Sequence, residues 1–484
     1  MKYPVTHNRI GGCDAASTEP LLDVYSPLDG SKLSQIPLSS AHDVNQAVQA
    51  AAAAWEPWAA QPIKERVQIF FRYRALLERD MDSLADLVCA ENGKTKSEAI
   101  AEVQKSMEVT EFACALPQLT AGEIMEVSKG VTCRSDFLPL GVVACITPFN
   151  FPNMVPNWTL PIALALGNTM VMKPSELVPL SANRLAMLLE EAGLPAGVFN
   201  VVHGGAPVVE ALCDHPGIRA ISFVGSTRVA KIVYRRGSAQ LKRVLALGGA
   251  KNHLIVLPDA HPEMTASNVA ASMSGCAGQR CMAASAMVAV GQTEAIIERL
   301  CAEARAIVPG KNLGAVISLQ AKERIEGYIT EAERQGAKVL VDGRKAVVPG
   351  KEGGYYVGPT VLDHVRPEMA IAREEVFGPV LSIMRASTLD EAIAIENASE
   401  YGNAAAVFTQ SGGLAREVVE RASAGMVGVN IGVPVPREPF SFGGWNESKF
   451  GVGDITGKSS IGFWTQLKKT TTKWNPEART NWMS

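Results

Sequence analysis

Apolar residues recur along the chain with spacings that alternate between helical and strand-like, which predicts an α/β protein. From about residue 40 to 115 apolar positions return every three or four residues, as in a run of amphipathic helices. From about 142 to 250, short apolar runs such as NTMVMK and AISFVG alternate with helical segments such as TRVAKIVYRRGSA. A second alternating region runs from about 254 to 435. Strands joined by helices over short connections form parallel sheets covered on both faces, so two α/β domains are predicted.

An uncharged stretch, residues 137–172, is long enough to span a bilayer. Its five prolines and four asparagines make a single membrane helix improbable, and a buried strand, loop, helix and strand fit it better. The start of the chain resembles neither a signal peptide nor a transit peptide. The sequence therefore predicts a protein that is cytoplasmic, or already processed, with no membrane partner.

Two further segments, VTCRSDFLPL and IGFWTQLKKTTTKW, alternate like strands that would leave exposed sheet edges. Exposed edges are commonly covered by pairing with another chain. A homodimer or homotetramer is therefore expected.

Composition narrows the class of protein. A chain of 484 residues, 47% hydrophobic and 20% charged, is typical of a folded globular protein of two domains. The net charge of −3 without a basic block argues against a nucleic acid partner. Nine cysteines, odd in number and irregularly spaced, indicate a reducing compartment rather than a disulfide framework.

Motifs for common cofactors are weak. No GxGxxG follows a predicted strand, and GVGDITGKSS misses the phosphate-binding P-loop because position 452 is valine. FVGSTRVA places Gly225 and Ser226 at a helix start, which suits either an anion or a simple helix cap. MKPSE places Lys173 and Glu176 after a strand, as in a ligand site or a solvated turn. Seven histidines without metal-ligand spacing predict no metal.

Two cysteines stand out in GCAGQRCMAAS, between a small-residue helix and a strand. Cys276 is expected to be a small buried hydrophobic residue. At Cys281, the turn at Gly278 would expose the sulfur, and the charge of Arg280 would favour the thiolate. On this local evidence a nucleophile and a buried residue are equally open interpretations.

Four longer segments add a resemblance. PFNFPNMVPNWTLPIALALGNTMVMKPSE, FVGSTRVA, GQRC and EEVFGPV occur in the order and spacing of the NAD(P)-dependent aldehyde dehydrogenase superfamily, over nearly the whole chain. Within it, PNMVPNWTLP, GAKNH, GQRCMA and TQLKKTTTKW resemble the methylmalonate semialdehyde dehydrogenases, which acylate coenzyme A.

This resemblance implies a fold of two Rossmann-like α/β domains with a β oligomerisation arm. The implied ranges are residues 1–125 and 142–250 for NAD binding, 251–435 for the catalytic domain, and 126–141 and 464–484 for oligomerisation strands. It makes Cys281 the nucleophile and Asn150 the oxyanion donor. The residues it assigns to the cofactor are Phe149, Lys173, Glu176, Gly225, Ser226, Glu375 and Phe377. A glutamate at 176 suits the ribose hydroxyls of NAD and would repel the additional phosphate of NADP.

The resemblance also bears on the second half-reaction. Hydrolytic members carry a glutamate that activates water, where this chain has Ala246 or Leu247, depending on the alignment. Coenzyme A is therefore the expected acceptor, and hydrolysis to the free acid is the alternative. Arg280, and Lys105 where an arginine is usual, would hold the carboxylate of a malonate or methylmalonate semialdehyde. A structural arginine is the alternative for Arg280.

Overall fold

The protein is described by a computed structural model that covers residues 1–474. The helices are α1 (Ala41–Ala59), α2 (Ile63–Arg79), α3 (Met81–Asn92), α4 (Lys96–Cys114), α5 (Leu116–Leu119), α6 (Met154–Ala165), α7 (Pro179–Glu191), α8 (Ala206–Asp214), α9 (Thr227–Ala239), α10 (Pro262–Ser274), α11 (Glu294–Ala306), α12 (Leu319–Arg334), α13 (Ala370–Arg373), α14 (Leu389–Asn397), α15 (Gly412–Arg421) and α16 (Gly457–Trp464). The strands are β1 (Asn8–Ile10), β2 (Cys13–Ala15), β3 (Leu21–Tyr25), β4 (Lys32–Pro37), β5 (Glu123–Ser128), β6 (Val131–Pro139), β7 (Val142–Ile146), β8 (Thr169–Lys173), β9 (Phe199–Val201), β10 (Ile218–Val224), β11 (Arg243–Leu247), β12 (Asn252–Val256), β13 (Ala284–Val290), β14 (Lys338–Val341), β15 (Thr360–Asp363), β16 (Val380–Ala386), β17 (Tyr401–Gly402), β18 (Ala404–Phe408), β19 (Met426–Val429), β20 (Trp445–Asn446), β21 (Lys449–Phe450) and β22 (Thr465–Lys473).

The first large sheet has eight strands in the order β2-β1-β9-β8-β7-β10-β11-β21. Its central five strands, β9 to β11 in that order, are parallel. The chain adds β8 and β9 on one side of β7 and then β10 and β11 on the other. A crevice forms outside the carboxyl ends of the strands at such a reversal, and ligands bind there in open α/β sheets.

The second large sheet has seven strands in the order β14-β15-β16-β13-β12-β18-β19, and all its pairs except β14 with β15 are parallel. Separate apolar clusters cover the two faces of each large sheet. The predicted α/β fold with two parallel sheets is therefore confirmed.

A three-stranded sheet, β22-β6-β5, stands apart from both. β22 pairs antiparallel with β6 over nine residues, from Thr465 opposite Pro139 to Lys473 opposite Val131. The predicted tail strand starts later than expected, because residues 461–464 form the end of α16. Residues 475–484 of the predicted oligomerisation strands lie outside the described residues.

Residues 1–40 hold four short strands that the hydrophobic pattern did not predict. β1 joins the first sheet through Arg9 opposite Val201 of β9. β21 also joins that sheet, beside β11, from outside the predicted ranges, so the domain boundaries stay a prediction. The uncharged stretch 137–172 forms the end of β6, then β7, α6 and β8. Among residues 1–474, no helix has the length and apolar character needed to cross a membrane.

Candidate active site

The segment after β7 enters the interior at the reversal of strand order. Asn150 is buried there, and its Nδ2 donates a hydrogen bond to the carbonyl of Gln279 over 3.0 Å. Gln279 lies two residues before Cys281, so this bond ties the end of the first sheet to the loop that carries the cysteine. Behind the segment, Asn92 Nδ2 donates to the carbonyl of Phe149 over 2.8 Å.

A buried ion pair fixes the path of the same segment. Lys94 Nζ lies 2.5 Å from Glu102 Oε2, with side chains 1% and 0% exposed, and also donates to the carbonyl of Asn150 over 2.5 Å. Glu102 Oε1 accepts from the backbone N–H groups of Asn153 and Met154, at 2.7 and 3.0 Å. It thereby satisfies donors that the start of α6 leaves free.

The sequence analysis missed this ion pair. Polar positions in a helical pattern are ordinarily solvated, and no local signal marks Lys94 or Glu102 as buried. The pairing becomes visible only when α4 packs against α6.

The loop that carries Cys281 is held in an unusual backbone conformation. Beyond α10 the chain turns through left-handed residues, with φ of 54° at Cys276 and 69° at Gly278. A Cβ at Gly278 would lie 2.0 Å from the Gly378 carbonyl oxygen, so only glycine fits. Glu98 Oε1 accepts from the N–H of Cys276 over 2.6 Å. Cys276 itself is buried, as predicted.

The thiol of Cys281 is protonated at neutral pH in this arrangement. Burial raises the pKa of Cys281 to about 12, and the nearby carboxylate of Glu375 adds to the shift. The charge of Arg280 lowers this pKa and so favours the thiolate, as expected, but the effect of burial is larger. The guanidinium Nη2 is turned toward the end of α10, where it donates to the carbonyls of Ala271 and Ser272 at 2.9 and 2.8 Å.

A cleft of about 890 Å³ opens at the reversal of strand order and reaches Cys281. The predicted residues that line it are Cys281, Asn150, Phe149, Lys173, Glu176, Gly225, Ser226, Glu375 and Phe377. The fold therefore brings together both predicted catalytic residues and all seven predicted cofactor residues.

The two residues predicted to bind substrate lie elsewhere. Arg280 shares a second cavity, of about 10 Å³, with Cys281 and Glu375. Lys105 borders neither cavity and already contacts two carboxylates, Glu108 at 3.0 Å and Glu438 at 2.6 Å. A role for either side chain in holding a substrate carboxylate stays a prediction.

One end of the cleft presents paired charges. Lys173 Nζ, at the end of β8, lies 3.0 Å from Glu176 Oε2. Burial alone would raise the pKa of Glu176, but the positive charge of Lys173 holds it below its usual value. An ionised carboxylate at this place accepts hydrogen bonds from hydroxyl groups and repels phosphate.

The middle of the cleft is lined by the turn between β10 and α9. A Cβ at Gly225 would lie 2.5 Å from the Phe223 ring, so glycine is required for this close packing. Ser226 precedes α9 but its side chain does not cap the helix. The first N–H groups of this 13-residue helix therefore remain available to an anion.

Near Cys281 the strand β11 brings no base. Ala246 and Leu247 are buried apolar residues. The carboxylate present is that of Glu375, whose Oε1 accepts from the N–H of Ala250 over 3.0 Å. Burial raises the pKa of Glu375 to about 7.

The sequence and the fold of this chain are similar to those of known enzymes. The sequence profile of the aldehyde dehydrogenase family matches residues 14–470. Malonate-semialdehyde dehydrogenase 1 of Geobacillus kaustophilus is 46% identical over 479 residues, which cover 97% of this chain and 98% of that protein. Malonate-semialdehyde dehydrogenase 2 of Oceanobacillus iheyensis is 47% identical, covering 96% and 98%.

Solved structures agree. The methylmalonate-semialdehyde dehydrogenase of Oceanimonas doudoroffii is 41% identical and superposes with a TM-score of 0.96, covering 98% of this chain and 99% of that one. A Sinorhizobium meliloti protein solved in complex with NAD is 39% identical, with the same TM-score and coverage.

Proposed function

The chain belongs to the aldehyde dehydrogenase family, and we propose that it oxidises malonate or methylmalonate semialdehyde with NAD through a thioester on Cys281. Coenzyme A then takes up the acyl group with loss of CO2, giving acetyl-CoA or propanoyl-CoA. The observation that carries this proposal is the cleft that reaches Cys281 from the Lys173 and Glu176 end. The malonate-semialdehyde dehydrogenases that match nearly the whole chain support the substrate.

The cleft fits a dinucleotide on this chain's own residues. The ionised Glu176 and Lys173 suit the adenosine ribose, and the glycine at 225 with the open start of α9 suits the pyrophosphate. Glu375 and Phe377 would hold the nicotinamide ribose. The Phe149 and Phe377 rings stand edge to face with centroids 5.8 Å apart, which encloses this end of the cleft. NAD supplies a hydride acceptor at that place.

Cys281 attacks the aldehyde carbon, and the negative charge moves to the aldehyde oxygen. Asn150 Nδ2 and the N–H of Cys281 are the donors we assign to that oxygen. The amide of Asn150 is already held beside the loop by its bond to Gln279. Donors fixed before the reaction stabilise the transition state without reorganisation.

The thioester is then cleaved. Ala246 and Leu247 supply no base for water, so a thiolate of coenzyme A is the proposed acceptor. For malonate semialdehyde the overall reaction consumes the semialdehyde, NAD+ and coenzyme A and gives acetyl-CoA, CO2 and NADH. Hydrolysis remains the second candidate, because the carboxyl of Glu375 lines the cleft near Cys281.

We place a substrate carboxylate near Arg280, whose Nε has no hydrogen-bond partner among the described residues. Lys105 is a weaker candidate because Glu108 and Glu438 already neutralise it.

We also propose that the protein is a cytoplasmic homodimer or homotetramer. The nine cysteines are free thiols, as suits a reducing compartment. The strand β5 is exposed along its length and carries Ile124, Met125 and Val127, an apolar edge suited to a second subunit.

The reaction is tested by following NADH formation from malonate semialdehyde and NAD with and without coenzyme A, with products identified by mass. We expect acetyl-CoA as the product and turnover at least about tenfold slower when coenzyme A is omitted, because a thiolate is a better nucleophile than unactivated water. Steady release of free acid at the same rate without coenzyme A would establish the hydrolytic alternative.

Replacing Asn150 by alanine should lower kcat by about 10²- to 10³-fold with little change in KM, because one oxyanion donor is lost. The matched control is Asn268→Ala, since the one hydrogen bond of Asn268 Nδ2 to another of residues 1–474 goes to the carbonyl of Met264 within α10, 2.9 Å away. Steady-state kinetics on both variants make the comparison. A kcat within threefold of the unmodified enzyme for Asn150→Ala would remove Asn150 from the oxyanion site.

A further inference from the structure

The side chain of Glu375 is anchored close to Cys281 by the segment that joins the two large sheets. Its Oε1 accepts from the N–H of Ala250 over 3.0 Å, and its Oε2 lies against Gly249, where a Cβ would be only 2.5 Å away. Two residues further on, Asn252 Nδ2 donates to the carbonyl of Cys281 over 2.7 Å. One short stretch of backbone therefore positions both the carboxylate and the thiol.

The cavity of about 10 Å³ connects the two groups. Its walls include Cys281, Glu375, Ala250, Asn252 and Arg280. A space of this size with polar walls accommodates a single water molecule, which makes two to four hydrogen bonds. One bridging water is within the reach of proton transfer between a thiol and a base.

The groups around Glu375 suit a proton acceptor. Lys251 is buried beside it and donates to the carbonyl of Ile371 over 2.7 Å. Desolvation lowers the pKa of Lys251 to about 7, and Glu375 opposes this shift. From α12, Arg324 favours the ionised carboxylate, while Tyr401 on β17 lies near enough to feel its charge.

Around Cys281, the charged neighbours are Glu375 and Arg280. Burial raises the pKa of Glu375 to about 7, so this carboxyl exchanges its proton within the physiological range. A base is most effective when its pKa is near the working pH.

We propose that Glu375 is the base that activates Cys281, accepting the thiol proton through one bridging water before the nicotinamide ribose engages the same carboxylate. The S–H bond breaks, its electron pair stays on sulfur, and an O–H bond forms on Glu375. The proton then passes to solvent through the cleft. This inference rests on the proposed function for the role of Cys281 and adds the origin of its thiolate.

The test measures alkylation of Cys281 by iodoacetamide in the protein without NAD, aldehyde or coenzyme A. Trypsin cleaves after Arg280, so Cys281 and Cys276 fall on different peptides and are quantified separately by mass spectrometry. Cys276 is the internal control for general unfolding. We expect the rate at Cys281 to rise as the pH increases through about 7, because Glu375 becomes ionised above its pKa.

Glu375→Gln keeps an acceptor for the N–H of Ala250 but removes the base. We expect this variant to lose the rise in alkylation rate near pH 7 and to be alkylated at least about tenfold more slowly at pH 8. Glu375→Asp retains a carboxylate and should keep the step at an intermediate rate.

If Glu375 acts only through its charge or only binds ribose, the change in alkylation rate on Glu375→Gln has the opposite sign. Removing a negative charge beside a thiol lowers the thiol pKa, so alkylation of Glu375→Gln would then be unchanged or faster, and the proposal would be overturned. If the glutamine variant does not fold, the wild-type profile decides: no step between pH 6 and 8 overturns the proposal. The assay uses no substrate, so failure of this proposal can be distinguished from failure of the proposed function, which the coenzyme A experiment tests.

Discussion

Cys281→Ser should lower kcat/KM for semialdehyde oxidation by at least about 10⁴-fold, because loss of a nucleophile removes the covalent route altogether. A serine hydroxyl at this position is a much weaker nucleophile than a thiol, and β11 supplies no base to assist it. The measurement is the rate of NADH formation at saturating NAD and coenzyme A. Electrospray mass spectrometry after mixing with semialdehyde and NAD, without coenzyme A, should show an acylated wild type and an unmodified variant.

Cys276→Ala is the matched control for this variant. Cys276 is buried five residues earlier in the same loop. Its backbone N–H donates a hydrogen bond to Glu98, and an alanine at this position keeps that N–H. Its activity should stay within a few-fold of wild type. Residual activity above about 1% in Cys281→Ser, against an unaffected control, would contradict Cys281 as the nucleophile.

Lys94→Met should reduce the free energy of unfolding by about 3–5 kcal/mol, because it leaves the carboxylate of Glu102 buried without its charge partner. It should also lower kcat, since Lys94 holds the carbonyl of Asn150. Urea unfolding followed by tryptophan fluorescence measures the first effect. Steady-state kinetics at low urea measure the second.

Two comparisons sharpen this prediction. Lys96→Met, two residues away, removes a lysine that pairs with exposed Asp86, and should cost no more than about 1 kcal/mol. Lys94→Met combined with Glu102→Gln should recover part of the loss, because a glutamine oxygen still accepts from Asn153 and Met154. A loss below 1 kcal/mol in Lys94→Met would mean that the ion pair does not hold this segment.

The sequence predicted elements best where local spacing and end signals agree. The segments TRVAKIVYRRGSA and RVLAL coincide with α9 and β11, because buried positions recur every three or four residues in the first and the second is a short apolar run. Residues 461–464 were predicted as strand but are helical, since a short apolar run fits either period. The strands before residue 40 escaped prediction because each spans only three to six residues, too few to establish an alternation.

The predicted site residues came together where the resemblance supplied long-range information. The residues lining the cleft come from the first sheet and from loops and a helix beside the second, and no local pattern relates Lys173 to Cys281. Local reasoning about Arg280 gave the right sign for its effect on the pKa of Cys281, but it could not show that burial outweighs this effect or that the guanidinium donates to the last carbonyls of α10. Lys94 and Glu102 became visible only through packing.

The sheet that holds the cofactor cleft is completed by the last part of the chain. β21 adds to the edge of β11, and α16 packs on α6. Asn168 Nδ2, between α6 and β8, donates to the Trp464 carbonyl at the end of α16, and β22 pairs with β6 in the separate three-stranded sheet. During synthesis on the ribosome, residues up to about 250 emerge well before these partners. At about 5–20 residues per second the delay is roughly 10–45 s. For that time the nascent chain exposes the unpaired edge of β11 in the first sheet and that of β6 in the three-stranded sheet, which makes this half of the chain a natural client for a chaperone that binds at the ribosome.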